Sequence, residues 1–257
     1  MKYKNFQVSY KLFFGILSAL TLYSYYLYNV IDGSEIKDTY YNNYEIYTID
    51  YFTTFTLLSN VLVHVWLIYS GIKHKNEGKT KLLSYTTANA LATMITITFL
   101  VYNCVLIPVN GFPSSAFSVF TTLVDHAIVP VAFVIYVLFF MTGKQRVGYN
   151  EFFLKKFWIQ FTLVLGYCIF AMVRGELRYA NESYYSYLNS SGKVQNHLYP
   201  YFFLDVHHNG PMNLPGYVWF MIAFVGIIGI MIGFSYLYNF LSNSLIKKNY
   251  YRNFETN

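Results

Sequence analysis

The imidazole of His126 and the carboxyl of Asp125 lie inside an apolar run, about Phe120 to Met141. At 1.5 Å per residue that run is long enough to cross a bilayer, where ionisable groups are costly. Pro130 follows His126 by four residues. It cannot donate the helical hydrogen bond that the His126 carbonyl would accept, so a kink and a free carbonyl are expected beside the imidazole. Irregular backbone at membrane depth is tolerated only against protein or water. The segment is therefore expected to line a cavity. Asp125 is turned about 100° from His126 around the helix and is not its obvious orienting partner. Its plain reading is a hydrogen bond to Thr121, Thr122 or another helix.

Hydroxyls supply the other half of a reaction. Thr53, Thr56, Asn60 and His64 recur at spacings of three, four and four in the apolar run Tyr51–Gly71, which places them on one helical face. A threonine hydroxyl becomes a nucleophile when a base takes its proton, and neutral imidazole is the usual base. A Thr–His pair is thus chemically sufficient for covalent ester hydrolysis. Thr53, near the start of its run, also lies where a helix offers orphan amides and the positive end of its dipole to an oxyanion. With the second and fourth runs both entering from outside, His126 lies roughly 9 Å in and matches Thr53, whereas His64 lies roughly 20 Å down. That mismatch argues against His64 and His126 as a haem pair. Zinc held by His126 with His197, His207 or His208 and by Asp205 is a rival chemistry, without a tight ligand motif.

The polar residues also have a bland reading. Asn89, Thr93, Thr96 and Asn103 form a looser stripe in the third run, and Thr and Asn commonly hydrogen-bond between membrane helices. Stripes running the full depth of two helices would instead be the pathway of a small transporter or channel. A structural membrane protein without catalysis is the remaining alternative.

These side chains need walls, and six apolar runs supply them: roughly Leu12–Val30, Tyr51–Gly71, Thr86–Pro108, Phe120–Met141, Phe157–Val173 and Tyr217–Leu241. The 257-residue chain is 55% apolar, 21% aromatic and only 12% charged, which excludes an ordinary soluble core. Fourteen of its 18 Lys and Arg fall at the termini and in the second and fourth connections, against Lys37, Arg174, Arg178 and Lys193 on the alternate side. That asymmetry predicts cytoplasmic termini. The net charge of +6 is this same signal and gives no reason to invoke nucleic acid. Cys104 and Cys168 lie in apolar runs, so no disulfide framework is expected. The first run follows three lysines but lacks a small-residue cleavage site and is expected to be retained. Gly226, Gly229 and Gly233 predict close helix packing, within the bundle or in a dimer. The longest outer loop, 174–216, is rich in Tyr, Asn, Gly and His. The expected fold is all-α: one domain over 1–257, an integral membrane bundle of six transmembrane helices with a cavity toward the outer leaflet. No cofactor or metal is expected. The abundance of Tyr, Phe, Asn, Lys and Ile fits an AT-rich microbial genome, and hence a microbial plasma membrane.

Three motifs carry a resemblance: Tyr51-Phe52-Thr53 opening the second run, His126 followed by Pro130, and the stretch His197 to Asp205 that contains Tyr199-Pro200 and the Phe202–Phe203 pair. Together they resemble the androgen-induced and androgen-dependent (TFPI-regulating) multi-pass membrane proteins and their bacterial relatives, from about Tyr51 to the end of the last helix. The animal members are threonine hydrolases that cleave fatty acid esters of hydroxy fatty acids with one threonine and one histidine. The resemblance implies Thr53 as nucleophile, His126 as base, and a lipid ester as substrate. Thr56, Asn60, Pro130, His197 and Tyr199 are the expected supporting or cavity-lining residues. This chain departs from the animal pattern in having three residues, not four, between His126 and the proline, and a longer last outer loop. Thr54 and Thr56 compete with Thr53 for the nucleophile's place.

Overall fold

The structure, a computed structural model, describes residues 2–189, 192 and 194–255, and only the backbone of 2, 3 and 247–255. Lys193 and the side chains of Lys2, Lys247, Lys248 and Arg252, which enter the charge count, lie outside the described residues. The chain is 78% helical with almost no sheet. Among the described residues, six helices are long and apolar enough to cross a membrane: Lys4–Asp32, Phe55–Ile72, Tyr85–Asn110, Ala116–Phe140, Tyr149–Tyr179 and Gly216–Ile246. They are called the first to sixth spans below.

The expected helices are all present, but their ends move. The fifth runs over 149–179 rather than 157–173. Lys155, Lys156, Arg174, Glu176 and Arg178 interrupt the apolar pattern there, yet such long charged side chains favour the helix itself. The second starts at Phe55 rather than Tyr51, after a separate helix Tyr44–Phe52. The outer loop is not irregular throughout. It holds a short helix, Glu182–Tyr185, and a two-stranded antiparallel hairpin, β1 (Ser186–Leu188) with β2 (Val194–Asn196), in the register Ser186 to Asn196.

The chain divides into two compact units. The first comprises Met1–Thr21, Ser59–Thr162 and Gly229–Asn257. A fully buried ion pair fastens it. Lys11 Nζ donates to Glu77 Oε2 at 2.5 Å and to the Ser70 carbonyl at 2.7 Å, and neither charged side chain is exposed. Glu77 also accepts from the Tyr136 hydroxyl at 2.8 Å, from Thr142 N at 2.7 Å and from the Thr142 hydroxyl at 3.1 Å. A buried pair persists only when its remaining hydrogen-bonding capacity is filled in this way. Lys11 Nζ further reaches His74 Nδ1 at 3.0 Å. Burial and then the ammonium lower the pKa of that imidazole, so its nitrogen accepts. Gly78, at φ +76°, lets the loop backbone lie against Gly143, where a Cβ would meet main-chain atoms at 2.6 Å.

Polar residues of the second and third spans bond across helices in this unit. Ser59 Oγ and Thr98 Oγ1 are 2.7 Å apart, and so are Thr96 Oγ1 and the Tyr238 hydroxyl. Asn89 Nδ2 donates to the Ser235 carbonyl at 3.4 Å. These residues act as interhelical ties. The glycines of the sixth span, expected to pack within the bundle or in a dimer, leave their faces open within the chain. Among the described residues, a Cβ added at Gly226, Gly229 or Gly233 would meet nothing within 4 Å.

The second unit comprises Leu22–Leu58 and Leu163–Ile228. Asn43 caps the helix Tyr44–Phe52 by accepting from Ile46 N, and Ile46 and Tyr47 form its buried face. Tyr47 stacks on Tyr26 at 5.9 Å, and its hydroxyl accepts from Asn29 Nδ2 at 3.1 Å. Gly175 opens a place on the fifth span for the ring of Tyr199, which a Cβ would overlap. The Tyr199 hydroxyl then donates to Glu176 Oε1 at 2.6 Å.

Candidate functional site

Thr53 lies in the second unit, at the break between the helix Tyr44–Phe52 and the second span. The break has a local cause. Thr54 caps the following helix, its hydroxyl accepting from Leu57 N at 3.2 Å and its carbonyl from Leu58 N at 3.1 Å. The Thr53 hydroxyl turns backward and donates to the Ile49 carbonyl at 2.5 Å, as threonines do when they compete with the helix. Thr53 is therefore the C-cap of one helix and not the first-turn residue of the next. The oxyanion arrangement expected from the second span's amides is not available to it. Thr56 N donates to the Tyr201 hydroxyl at 3.3 Å, and Leu57 N is taken by Thr54.

What faces Thr53 instead is a guanidinium. Arg174 Nη1 hydrogen-bonds the Thr53 hydroxyl oxygen and stands 3.5 Å from Asp50 Oδ1. Arg178, one turn along the fifth span, donates from Nη1 to Asp50 Oδ1 and to the His197 carbonyl, each at 2.5 Å. Asp50 Oδ2 lies 3.4 Å from His197 Nδ1, and His197 Nε2 lies 2.7 Å from the Thr39 carbonyl, to which it must donate. The ring stacks on Tyr40 at 4.1 Å, and burial first, then Asp50, hold the Tyr40 phenol well above its usual pKa. The Tyr167 hydroxyl donates to the Thr53 carbonyl at 3.1 Å. His197 is thus a buried link between Asp50 and the chain near Thr39. Tyr199 is packed on Gly175 and bonded to Glu176.

His126 belongs to the first unit, and there the kink takes the form of a π turn over Val124–Ile128. Val129 N donates to Val124 O, five residues back, which frees the Asp125 carbonyl. Pro130 has no N–H, which frees the His126 carbonyl. Each freed oxygen meets an asparagine: Asn60 Nδ2 donates to Asp125 O at 3.1 Å, and Asn103 Nδ2 to His126 O at 2.9 Å. The expected irregularity is present, and side-chain amides satisfy both freed carbonyls. Asp125 accepts from Thr21 Oγ1 on the first span at 2.6 Å, so its bond runs to another helix. The His126 ring stacks on Tyr102 at 3.5 Å between centroids. Its Nδ1 is 3.0 Å from the Thr122 carbonyl, which can only accept, so Nδ1 carries a proton, and in the neutral form of the ring the lone pair is on Nε2.

No known protein family, curated protein or solved structure matches the chain. Among the described residues no three of His, Cys, Asp and Glu converge to hold a metal ion. His207 and His208 instead pair with acids of the second unit, His207 Nε2 with Glu176 at 3.1 Å and His208 with Asp205 and Glu182 at 2.9 Å. In the lysine and arginine count Arg174 and Arg178 serve only as topology markers, and Asp50 has no part in it. The signal was present: two arginines four apart share a helical face, and an acid stands three residues before Thr53.

Proposed function

We propose that this multi-pass protein is a hydrolase of lipid esters, with Thr53 as the nucleophile and His126 as the general base. The observation that carries the reading is the hydrogen bond from Arg174 to the Thr53 hydroxyl at a break between helices. A guanidinium at that oxygen stabilises the alkoxide character that develops as the proton leaves. The imidazole tautomer agrees, since Nε2 of His126 is free to take a proton while Nδ1 is held by Thr122. The resemblance in the motifs around Thr53, His126 and Tyr199-Pro200 points to the same two residues and to esters of hydroxy fatty acids. In the proposed reaction the threonine oxygen attacks the ester carbonyl, the imidazole passes the proton to the leaving alkoxide, and water releases the acid from the acyl-threonine. The proposed setting is a microbial plasma membrane, with both termini cytoplasmic and the reaction at the outer leaflet.

A fluorophosphonate probe on the full-length protein in membranes tests this. Thr53→Ala and His126→Ala should each abolish labelling and ester cleavage, and the double variant should be hardly worse than either, because nucleophile and base act as a unit. Thr54→Ala and Thr56→Ala, compared per folded molecule, should still label. Labelling that survives Thr53→Ala removes the assignment of the nucleophile.

A further inference from the structure

The charges around Asp50 do not balance. Two guanidinium groups share one carboxylate: Arg178 at 2.5 Å and Arg174 at 3.5 Å from Asp50 Oδ1. Glu35, another acid of this unit, is turned to the Tyr25 hydroxyl at 3.4 Å, and burial pushes its carboxyl up toward the neutral form. The Arg174 side chain is only 11% exposed, and it spends Nη1 on Thr53 and Asp50. Its Nε and Nη2 are sealed from solvent and have no hydrogen-bond partner. A buried cation with unused N–H groups is expensive unless something anionic completes it. The unused edge, one Nε–H beside one Nη2–H, is the fork that matches two oxygens of a carboxylate or phosphate.

We infer that Arg174 is the anchor of an oxyanion-binding site beside Thr53, and that the oxyanion it takes is carried by a lipid. Position supports the lipid as source. Arg174 is five residues from Tyr179, where the fifth span ends, about 7–8 Å at the helical rise, so it lies near the depth of headgroup oxygens. The oxyanion reaches Nε and Nη2 as the groups that cover them give way, while Thr53 and Asp50 keep Nη1. The site stands whether or not Thr53 is a nucleophile, because a chain unable to catalyse still offers the same guanidinium.

Binding of labelled oleate to the purified full-length protein in maltoside detergent, against oleyl alcohol of the same chain length, tests it. Wild type should bind oleate about tenfold or more tighter than the alcohol, and Arg174→Gln should bring that ratio to about one. Arg174→Lys, a point charge without the fork, should fall between. Displacement of oleate by millimolar inorganic phosphate would assign the site to oxyanions whatever carries them, and failure to displace it would assign it to lipid-borne ones. Equal binding of oleate and alcohol by the wild type overturns the proposal without recourse to any variant. So does a preference for oleate that Arg174→Gln leaves intact. Thr53→Ala should retain the preference for oleate, which separates this result from the fate of the hydrolase reading.

Discussion

Asn103 and Asn60 compensate two carbonyls that fail for different reasons, one through the missing N–H of Pro130 and one through the π turn before it. A neutral hydrogen bond of this kind contributes about 1 kcal/mol, and the stranded carbonyl costs a further 1–3 kcal/mol or so when its donor is removed. Asn103→Leu should therefore lower thermal stability in detergent by about 1–3 kcal/mol. In a Pro130→Ala background the new N–H can take the His126 carbonyl, and the same Asn103→Leu change should cost clearly less. Equal costs in both backgrounds would mean that the proline is not the reason Asn103 is needed. At this scale the sequence was informative where a rule of backbone chemistry applied, as it does at Pro130. It was silent where partners come from far along the chain. The acid before Thr53 and the paired arginines are visible in the sequence, but nothing there says that they meet, with Arg174 121 residues from Thr53, or that Thr53 falls on the carbonyl side of a helix break.

The break itself belongs to the scale of elements. Apolar periodicity runs unbroken from Tyr51, so pattern reading merged the end of one helix with the second span. The division is made by side-chain hydrogen bonds of Thr53 and Thr54, which periodicity does not register. The helices were legible because bilayer length and apolar content are properties of whole stretches. The outer loop was not, because its order rests on tertiary pairs: Tyr199 on Gly175, the histidines on Glu176, Asp205 and Glu182, and Tyr201 on Thr56 N. Burial also holds the Tyr201 phenol above its usual pKa, so it remains a neutral hydroxyl at that helix start. Gly175→Ala tests the loop as an element. Its Cβ overlaps the Tyr199 ring, and overpacking of this sort costs about 1–3 kcal/mol. Limited proteolysis should find the 174–216 region cut faster in the variant, with the first and third spans unaffected. Unchanged cleavage would mean that Tyr199 does not hold the loop.

For the molecule as a whole, the orientation proposed from the lysine and arginine bias makes a direct demand. Tags at either terminus should resist external protease in intact spheroplasts, while the 174–216 loop is cleaved; loss of a terminal tag from outside would reverse the orientation and move the proposed site to the inner leaflet. The buried Lys11–Glu77 pair carries a different kind of consequence, one of timing. Lys11 is already made when Glu77 leaves the ribosome, but Tyr136 and Thr142 follow 59 and 65 residues later. At roughly 5–20 residues per second the carboxylate waits about 3 to 13 s for the rest of its hydrogen bonds. During that interval the nascent chain holds a charged pair with half its partners. A chain stalled before the fourth span is finished lacks the Tyr136 and Thr142 bonds that complete Glu77.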